Sequence, residues 1–268
     1  MRSRCVSYLL GRLHVNPACV DFEIRERNAS AMVAQDASRF QDLHRIQTNV
    51  AQQVVLEGPA GAVALIGAVA QSFADDLAFS CAILVDASMN VIDESTAIAK
   101  TTVPYTPGLL FFREGPAAIA AVKKLRMRPD VLIVSGCGIN HPRFAGLASH
   151  VGVELNISTV GVSQKTLCGD YVEPDEACRC TPLTFKGRPL GFVLKTVTGA
   201  KPIFISPGHR ISLQGALQVV QRCVVNHRLP EPLRLAHVKA RHFRSATRSG
   251  QLAPIRTVET AGRPAHNQ

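Results

Sequence analysis

From Asp42 onward the chain shifts between a helical and a strand-like hydrophobic rhythm. Leu43, Ile46, Val50 and Val54 recur at helical spacing, and Gly58-Pro59 closes that stripe. Three strand-like runs follow as a meander: Ala62 to Gln71, Leu77 to Val85 and Asn90 to Thr101, with a tight turn from Asp86 to Asn90. A helix is predicted from Pro116 to Met127, exposing Lys123, Lys124 and Arg126. Val131-Leu132-Ile133-Val134 is continuously apolar, the mark of a strand covered on both faces. The glycine-rich turn at 135–138 ends it, and a helix is predicted to begin near Pro142. Thr159-Val160-Gly161-Val162 reads as another buried strand. A hairpin is expected from Phe185 to Thr198, turning at Lys186-Gly187-Arg188, then a strand from Lys201 to Ser206 and an amphipathic helix from Ser212 to Val225.

A three-stranded meander followed by alternating helices and parallel strands predicts a mixed α/β sheet. In open sheets of this kind sites form at the strand ends, where Gly136 and Gly138 are expected. The 268 residues suit one domain of about 200 residues with tails. Residues 1–40 lack clear periodicity and are assigned as an N-terminal extension, 41–240 as the domain and 241–268 as a basic C-terminal tail.

Charge narrows the partners. The net charge of +10 fits a polyanion, and from Arg234 to Gln268 seven Lys or Arg stand against one acid, Glu259. Such a stretch is either a solvated tail or a sequence-independent phosphate contact. The eight cysteines form no disulfide framework; Cys81 and Cys223 lie in apolar segments, and Cys168, Cys178 and Cys180 lack the usual zinc spacing. Arg12 interrupts the short apolar run from Val6 to Leu10, and no stretch approaches twenty apolar residues. The expectation is a cytoplasmic monomer.

Candidate chemistry begins at Pro104-Tyr105-Thr106-Pro107-Gly108, followed by Phe112-Arg113-Glu114-Gly115. Prolines on both sides stiffen the tyrosine, and Gly108 allows a sharp turn. Such a ring can stack on a base or be pushed between bases, although a proline-rich turn capping a strand has the same composition. Further along come Ser135-Gly136-Cys137-Gly138-Ile139-Asn140-His141-Pro142-Arg143, Ala148-Ser149-His150, Ser206-Pro207-Gly208-His209-Arg210 and Arg228-Leu229-Pro230-Glu231-Pro232. In this order and spacing the motifs closely resemble endonuclease V, from about Asp42 to about Ala240.

The resemblance implies a ribonuclease H-like fold, a mixed β-sheet flanked by helices. It also implies a nuclease that recognises inosine and other deaminated bases, cutting with magnesium (manganese as a substitute) held by three carboxylates. Glu114 stands where the glutamate belongs, but Ala70 and Ser135 occupy the two aspartate positions and Gln164 that of a lysine. Lys165, one place late, can substitute only if the strand has already ended. Two divalent ions about 4 Å apart repel by roughly 16 kcal/mol at an effective dielectric of 20. One glutamate cannot offset that, so Glu114 is at most a weak metal ligand. Asp86 precedes Tyr105 by only 19 residues, too few for the strands that should intervene, and reads as a turn residue. Asp130 begins a strand whose far end carries the site, and Asp75 or Asp76 reach it only in another strand register.

His141 and His209 match the family's site histidines and, with Glu114, form the expected remnant of the catalytic layer. The binding layer is retained. Tyr105 is the expected wedge on a loop shaped by Pro107 and Gly108, Gly136 and Gly138 allow close approach to a flipped base, and Arg143 and Lys165 meet phosphates. The reading is a protein that recognises inosine-containing DNA or RNA with nuclease activity weakened or lost. The alternative is an active magnesium-dependent endonuclease that cuts 3′ to deoxyinosine or inosine, using a substitute acidic ligand.

Overall fold

Strand β1 (Ile66–Ala74) is the hub of the sheet. It pairs antiparallel with β2 (Leu77–Val85) and parallel with β4 (Val131–Ser135). The computed structural model describes residues 40–58, 63–101 and 103–250, and the assignments made for the N-terminal extension and for 251–268 lie outside them save residue 40. The chain divides into two units, Met1–Asp42 and Leu43–Gln268, and the whole sheet with its covering helices belongs to the second. Helix α1 runs over residues 40–53, and its residues 43–53 fall in this second unit.

Strand β3 (Val91–Lys100) completes the expected meander, and β5 (Ser158–Ser163) extends the parallel part. Strands β6 (Cys180–Phe185), β7 (Arg188–Leu194) and β8 (Ile203–His209) finish one eight-stranded sheet in the order β3-β2-β1-β4-β5-β8-β7-β6. This is the mixed α/β sheet expected of a ribonuclease H-like fold. Two layers of helices cover it. Helix α2 (Leu110–Lys123) and α3 (Leu147–Leu155) pack with Val69, Leu132 and Val134 on one face. On the other, α4 (Leu213–Arg222) and α5 (Glu231–Arg248) pack with Ala68, Ala70 and Ile133. The period-two alternation of Ala68, Val69 and Ala70 therefore sends neighbouring residues to opposite layers. No helix among the described residues is long and apolar enough to cross a membrane.

Several boundaries differ from expectation for identifiable reasons. Helix α2 begins at Leu110, and Pro116 lies inside it, so the proline marks one missing backbone bond rather than the helix start. Helix α3 starts at Leu147, not near Pro142, because residues 136–146 fold back in bonds of their own: Gly146 N–H reaches the Gly138 carbonyl and Ile139 N–H that of Pro207. The hairpin begins at Cys180, earlier than Phe185, and keeps its turn at Lys186-Gly187. Strand β8 runs antiparallel to β5 and continues through Pro207. A register shift between Thr159 and Val160 absorbs Gly208, and β7 pairs with β8 only as far as Ile205, so Pro207 owes no donor there.

The assigned tail also changes. Residues 241–248 belong to α5, whose Leu233, Ala236, Ala240 and Phe243 are buried at helical spacing. Phe243 meets Phe79 edge to face at 5.8 Å. The described cations of that stretch, Arg234, Lys239, Arg241, Arg244 and Arg248, lie on this amphipathic helix.

Buried imidazoles make stability pH-dependent. Burial holds His141 down at about 4 and His150, stacked on Phe111 at 4.1 Å, at about 3. Unfolded histidines titrate near 6.5, so below that pH the unfolded chain binds more protons and stability falls on acidification. Each contributes about 1.4 kcal/mol per pH unit until its folded pKa is reached. Buried Glu114, pushed up to about 8, opposes one of them above pH 4.5, since there the folded state holds the extra proton. His209 and His237, also lowered by burial, add to the acid loss. Urea midpoints at pH 7 and pH 5 are expected to show the loss, and Glu114→Gln is expected to steepen it. A flat profile would mean that these rings are not buried neutral.

Candidate nucleic-acid site

A cavity of about 720 Å³ opens where β1, β4 and β5 end, and it gathers residues from six segments. Its walls include Gln71 and Phe73 of β1, Phe111 and Glu114 of α2, Ser135 at the end of β4 with Gly136 after it, and His237 of α5. Gln164, Lys165 and the Tyr105-Thr106-Pro107-Gly108 loop close the rest.

Tyr105 is 69% exposed, while Val103 and Leu109 are buried at the two ends of its loop. The turn closes through Leu109 N–H to the Thr106 carbonyl at 3.0 Å, with Gly108 at φ +82°. That left-handed value is a glycine conformation. Three side chains converge on the Gly108 carbonyl: Gln47 Nε2 donates at 2.7 Å, His141 Nε2 at 2.9 Å and Arg143 Nη2 at 3.3 Å. His141 Nδ1 accepts from Arg143 N–H at 3.1 Å, which leaves the ring proton on Nε2. Arg143 Nε also donates to Gln47 Oε1 at 2.6 Å.

The acidic centre is sparse. The β1–β4 ladder ends with Val69 paired to Val134, and Ala70 and Ser135 follow directly on the two strands. Ala70 is fully buried in the apolar layer beneath α5. Ser135 Oγ lies 3.0 Å from His237 Nε2. Glu114 is 8% exposed; burial pushes its carboxyl up to about 8, with the Arg113 charge opposing. The Arg113 guanidinium itself sits over the Phe73 ring at 4.8 Å. Gln71 lines the same wall, and its Nε2 is buried without a hydrogen-bond partner.

The other acids are engaged elsewhere. Asp86 caps its own turn through Ser88 and Asn90, Asp130 accepts from Ala64 and Leu65 N–H, and Asp76 pairs with Lys100 at 3.3 Å. Asp75 sits in the β1–β2 turn at φ +53°. None of them lines the cavity. Among the described residues no three His, Cys, Asp or Glu side chains converge as a metal site would require. One buried glutamate beside a serine and a neutral imidazole does not fit a pair of magnesium ions.

Four expected site residues do not line the cavity: Ala70, Arg143, His209 and Gly138. His209 accepts from Val55 N–H at 3.3 Å within the fold. Gly138 donates its N–H to Ser206 Oγ at 2.9 Å, and a Cβ on it would lie 2.1 Å from the Pro207 carbonyl oxygen. Its missing side chain is required by contact with β8. Gly138→Ala is therefore expected to cost about 3 kcal/mol in a thermal melt. Gly136→Ala, which meets only the Leu147 side chain at 3.1 Å, is expected to fold and to narrow the cavity. Equal melting temperatures for the two variants would refute the distinction.

β5 ends at Ser163, so strand alternation does not govern Lys165, which reaches the cavity wall together with Gln164. Gln164 Oε1 accepts from Arg228 Nη1 at 2.8 Å. His237, Gln71 and Gln47 were not anticipated. His237 follows Leu233 by one helical turn on the stripe that α5 buries, a spacing readable once 231–248 is taken as a helix.

The endonuclease V family model matches residues 48–238. Endonuclease V of Thermosipho melanesiensis is 41% identical over 174 residues, covering 65% of this chain and 77% of that one. The crystal structure of endonuclease V from Streptomyces avermitilis is 32% identical with a TM-score of 0.72, over 79% of this chain and 94% of that one. A third similarity, in fold alone, is to endonuclease V of Ciona intestinalis in complex with a 24mer DNA containing an inosine followed by a ribo-adenosine. It is 23% identical with a TM-score of 0.67, over 79% of this chain and 99% of that one.

Proposed function

The chain belongs to the endonuclease V family, and from that premise we propose that it binds inosine-containing nucleic acid at the cavity beside Tyr105 and cuts it slowly or not at all. The observation that carries this reading is that Ala70 and Ser135, each directly after the last pair of the β1–β4 ladder, are neutral residues where the resemblance calls for acids. The same cavity retains the exposed Tyr105 and the bare backbone of Gly136. The lost positions are chemical and the kept ones are those of base recognition.

In this reading a flipped base enters the cavity against Gly136, and Tyr105 stacks in the gap it leaves. Inosine lacks the exocyclic amine of guanine, so a close backbone wall favours it sterically. Lys165 and the free edge of Arg143 hold phosphates. On α5, Arg234 is paired with Glu231 at 2.6 Å and Lys239 with Glu94 at 2.8 Å, which leaves Arg241 and Arg248 as the better candidates there. The protein acts as a monomer on DNA or RNA, and the same reading covers both.

The experiment uses a labelled single-stranded oligonucleotide with one central inosine, and its adenine twin. Binding and scission are followed together in magnesium, manganese or chelator. Inosine-selective binding that survives chelation, with no scission in either metal, is the expected result. Metal-dependent scission near the inosine would replace it with an active nuclease that uses another ligand. Equal binding of the two strands would remove the recognition half of the reading.

A further inference from the structure

We infer that Gln47, His141 and Arg143 are positioning residues that clamp the Tyr105 loop, holding the tyrosine in its base-inserting position before nucleic acid arrives. The inference rests on the reading of Tyr105 as the residue that meets a base. A loop carrying an exposed ring needs a reason to stay in one conformation, since ordering each backbone residue costs about 1–2 kcal/mol. Buried Val103 and Leu109 fix its two ends but not its crest. The crest is held by one carbonyl, that of Gly108.

A carbonyl oxygen has two lone pairs, and this one faces three N–H donors at 2.7, 2.9 and 3.3 Å. The donors come from segments 61, 33 and 35 residues away in sequence, so the contact is tertiary and not a local turn bond. They also brace one another. Arg143 Nε holds Gln47 Oε1, and His141 Nδ1 takes the Arg143 backbone N–H, so each donor has its direction set by a neighbour. Gln47 is 1% exposed and His141 is 2% exposed, where an unmet donor is costly and the clamp has little water to compete with it. Gly108 suits both requirements of the arrangement. Its φ of +82° turns the carbonyl toward the donors, and a Cβ there would lie 3.2 Å from Arg143 Nη2 and 3.5 Å from His141 Nε2.

His141 is thus engaged at both ring nitrogens in holding a loop, which removes it from proton transfer at a phosphate. Arg143 has a double role: Nε and Nη2 face the clamp, while Nη1 has no protein partner among the described residues. A phosphate on that free edge would bind a guanidinium already oriented by the loop it holds, so phosphate contact and ring placement reinforce each other.

The test uses Gln47→Leu, which keeps the side-chain bulk and removes the donor to Gly108 and the acceptor for Arg143. Amide hydrogen exchange of the free protein reads the clamp directly. Exchange at Leu109 N–H, which closes the loop turn, is expected to rise about tenfold, roughly the effect of one to two net hydrogen bonds. Unchanged exchange there would overturn the clamp whatever the protein binds. Its consequence is read with the inosine and adenine oligonucleotides in chelator, in the parent and in a Tyr105→Ala background. Gln47→Leu is expected to weaken inosine binding about tenfold in the parent and to have no further effect once Tyr105 is gone. An equal loss in both backgrounds would make Gln47 a structural residue and overturn the positioning role. Should Gln47→Leu fold poorly, Arg143→Lys keeps the charge but loses the planar fork and is expected to show the same coupling to Tyr105. A parent that does not distinguish the two strands, with loop exchange still raised in Gln47→Leu, would defeat the proposed function and leave the clamp standing.

Discussion

Ala70→Asp combined with Ser135→Asp is expected to yield a protein that nicks inosine-containing strands when magnesium is present, a gain of at least about a hundredfold over the parent. The two positions directly follow the last pair of the β1–β4 ladder, Val69 with Val134; Ser135 meets His237, and Glu114 approaches the same cavity from α2. The price without metal is large. Ala70 is fully buried in an apolar layer, and an uncompensated carboxylate there costs several kcal/mol. The double variant is therefore expected to melt well below the parent in chelator and to recover on addition of magnesium, because a ligand that binds only the folded state stabilises it. That metal-dependent rise in melting temperature is a readout separate from scission. A variant that gains the melting response and stays inert would show that the acids restore a metal site but that the nuclease lacks something further, with Gln164 the first residue to question. A variant with neither response would mean that the account of these two positions is wrong.

Tyr105→Ala is expected to lower affinity for the inosine strand by about 10- to 100-fold, the loss of one base–aromatic stack worth about 1–3 kcal/mol. The adenine strand, held mainly through phosphates, is expected to change little. Tyr105 is largely exposed and has no aromatic ring contact among the described residues, so the melting temperature is expected to stay put. That separates it from Phe111, whose ring stacks on His150 at 4.1 Å and whose removal would disturb the core. A parallel fall in affinity for both strands would identify Tyr105 as a general surface contact and sink its role as the base-inserting ring.

Much of the sheet could be read from the residues because buried strands announce themselves: Val131 to Val134 and Leu77 to Val85 are apolar with little interruption. The family motifs marked out Tyr105, Glu114 and Ser135, and the fold brings all three to one cavity. What stayed hidden depends on packing between distant segments. The burial of α5 was masked by its cations, since composition weighs Arg234, Lys239 and Arg241 while periodicity weighs Leu233, Ala236 and Ala240. His237 was missed with it. Gly138 looked like a ligand-facing glycine, yet the 2.1 Å approach of the Pro207 carbonyl can be known only from the partner strand. His209 carried a family motif and turned out to receive a backbone N–H from Val55, 154 residues away. The three donors on Gly108 belong to the same class, a tertiary arrangement of residue types that are unremarked one by one.

The adjacency of Ala70 and Ser135 has an evolutionary corollary. With alanine packed under α5 and serine bonded to His237, the sheet end is more comfortable than any version carrying unmatched acids. Restoring one aspartate alone would weaken the fold and still leave too few ligands for catalysis, so selection would discard that intermediate. On the proposed reading, the loss of cutting would in this sense be a ratchet. Return would require both changes together, and a lineage past that point would be free to refine what it binds without drifting back into cutting it.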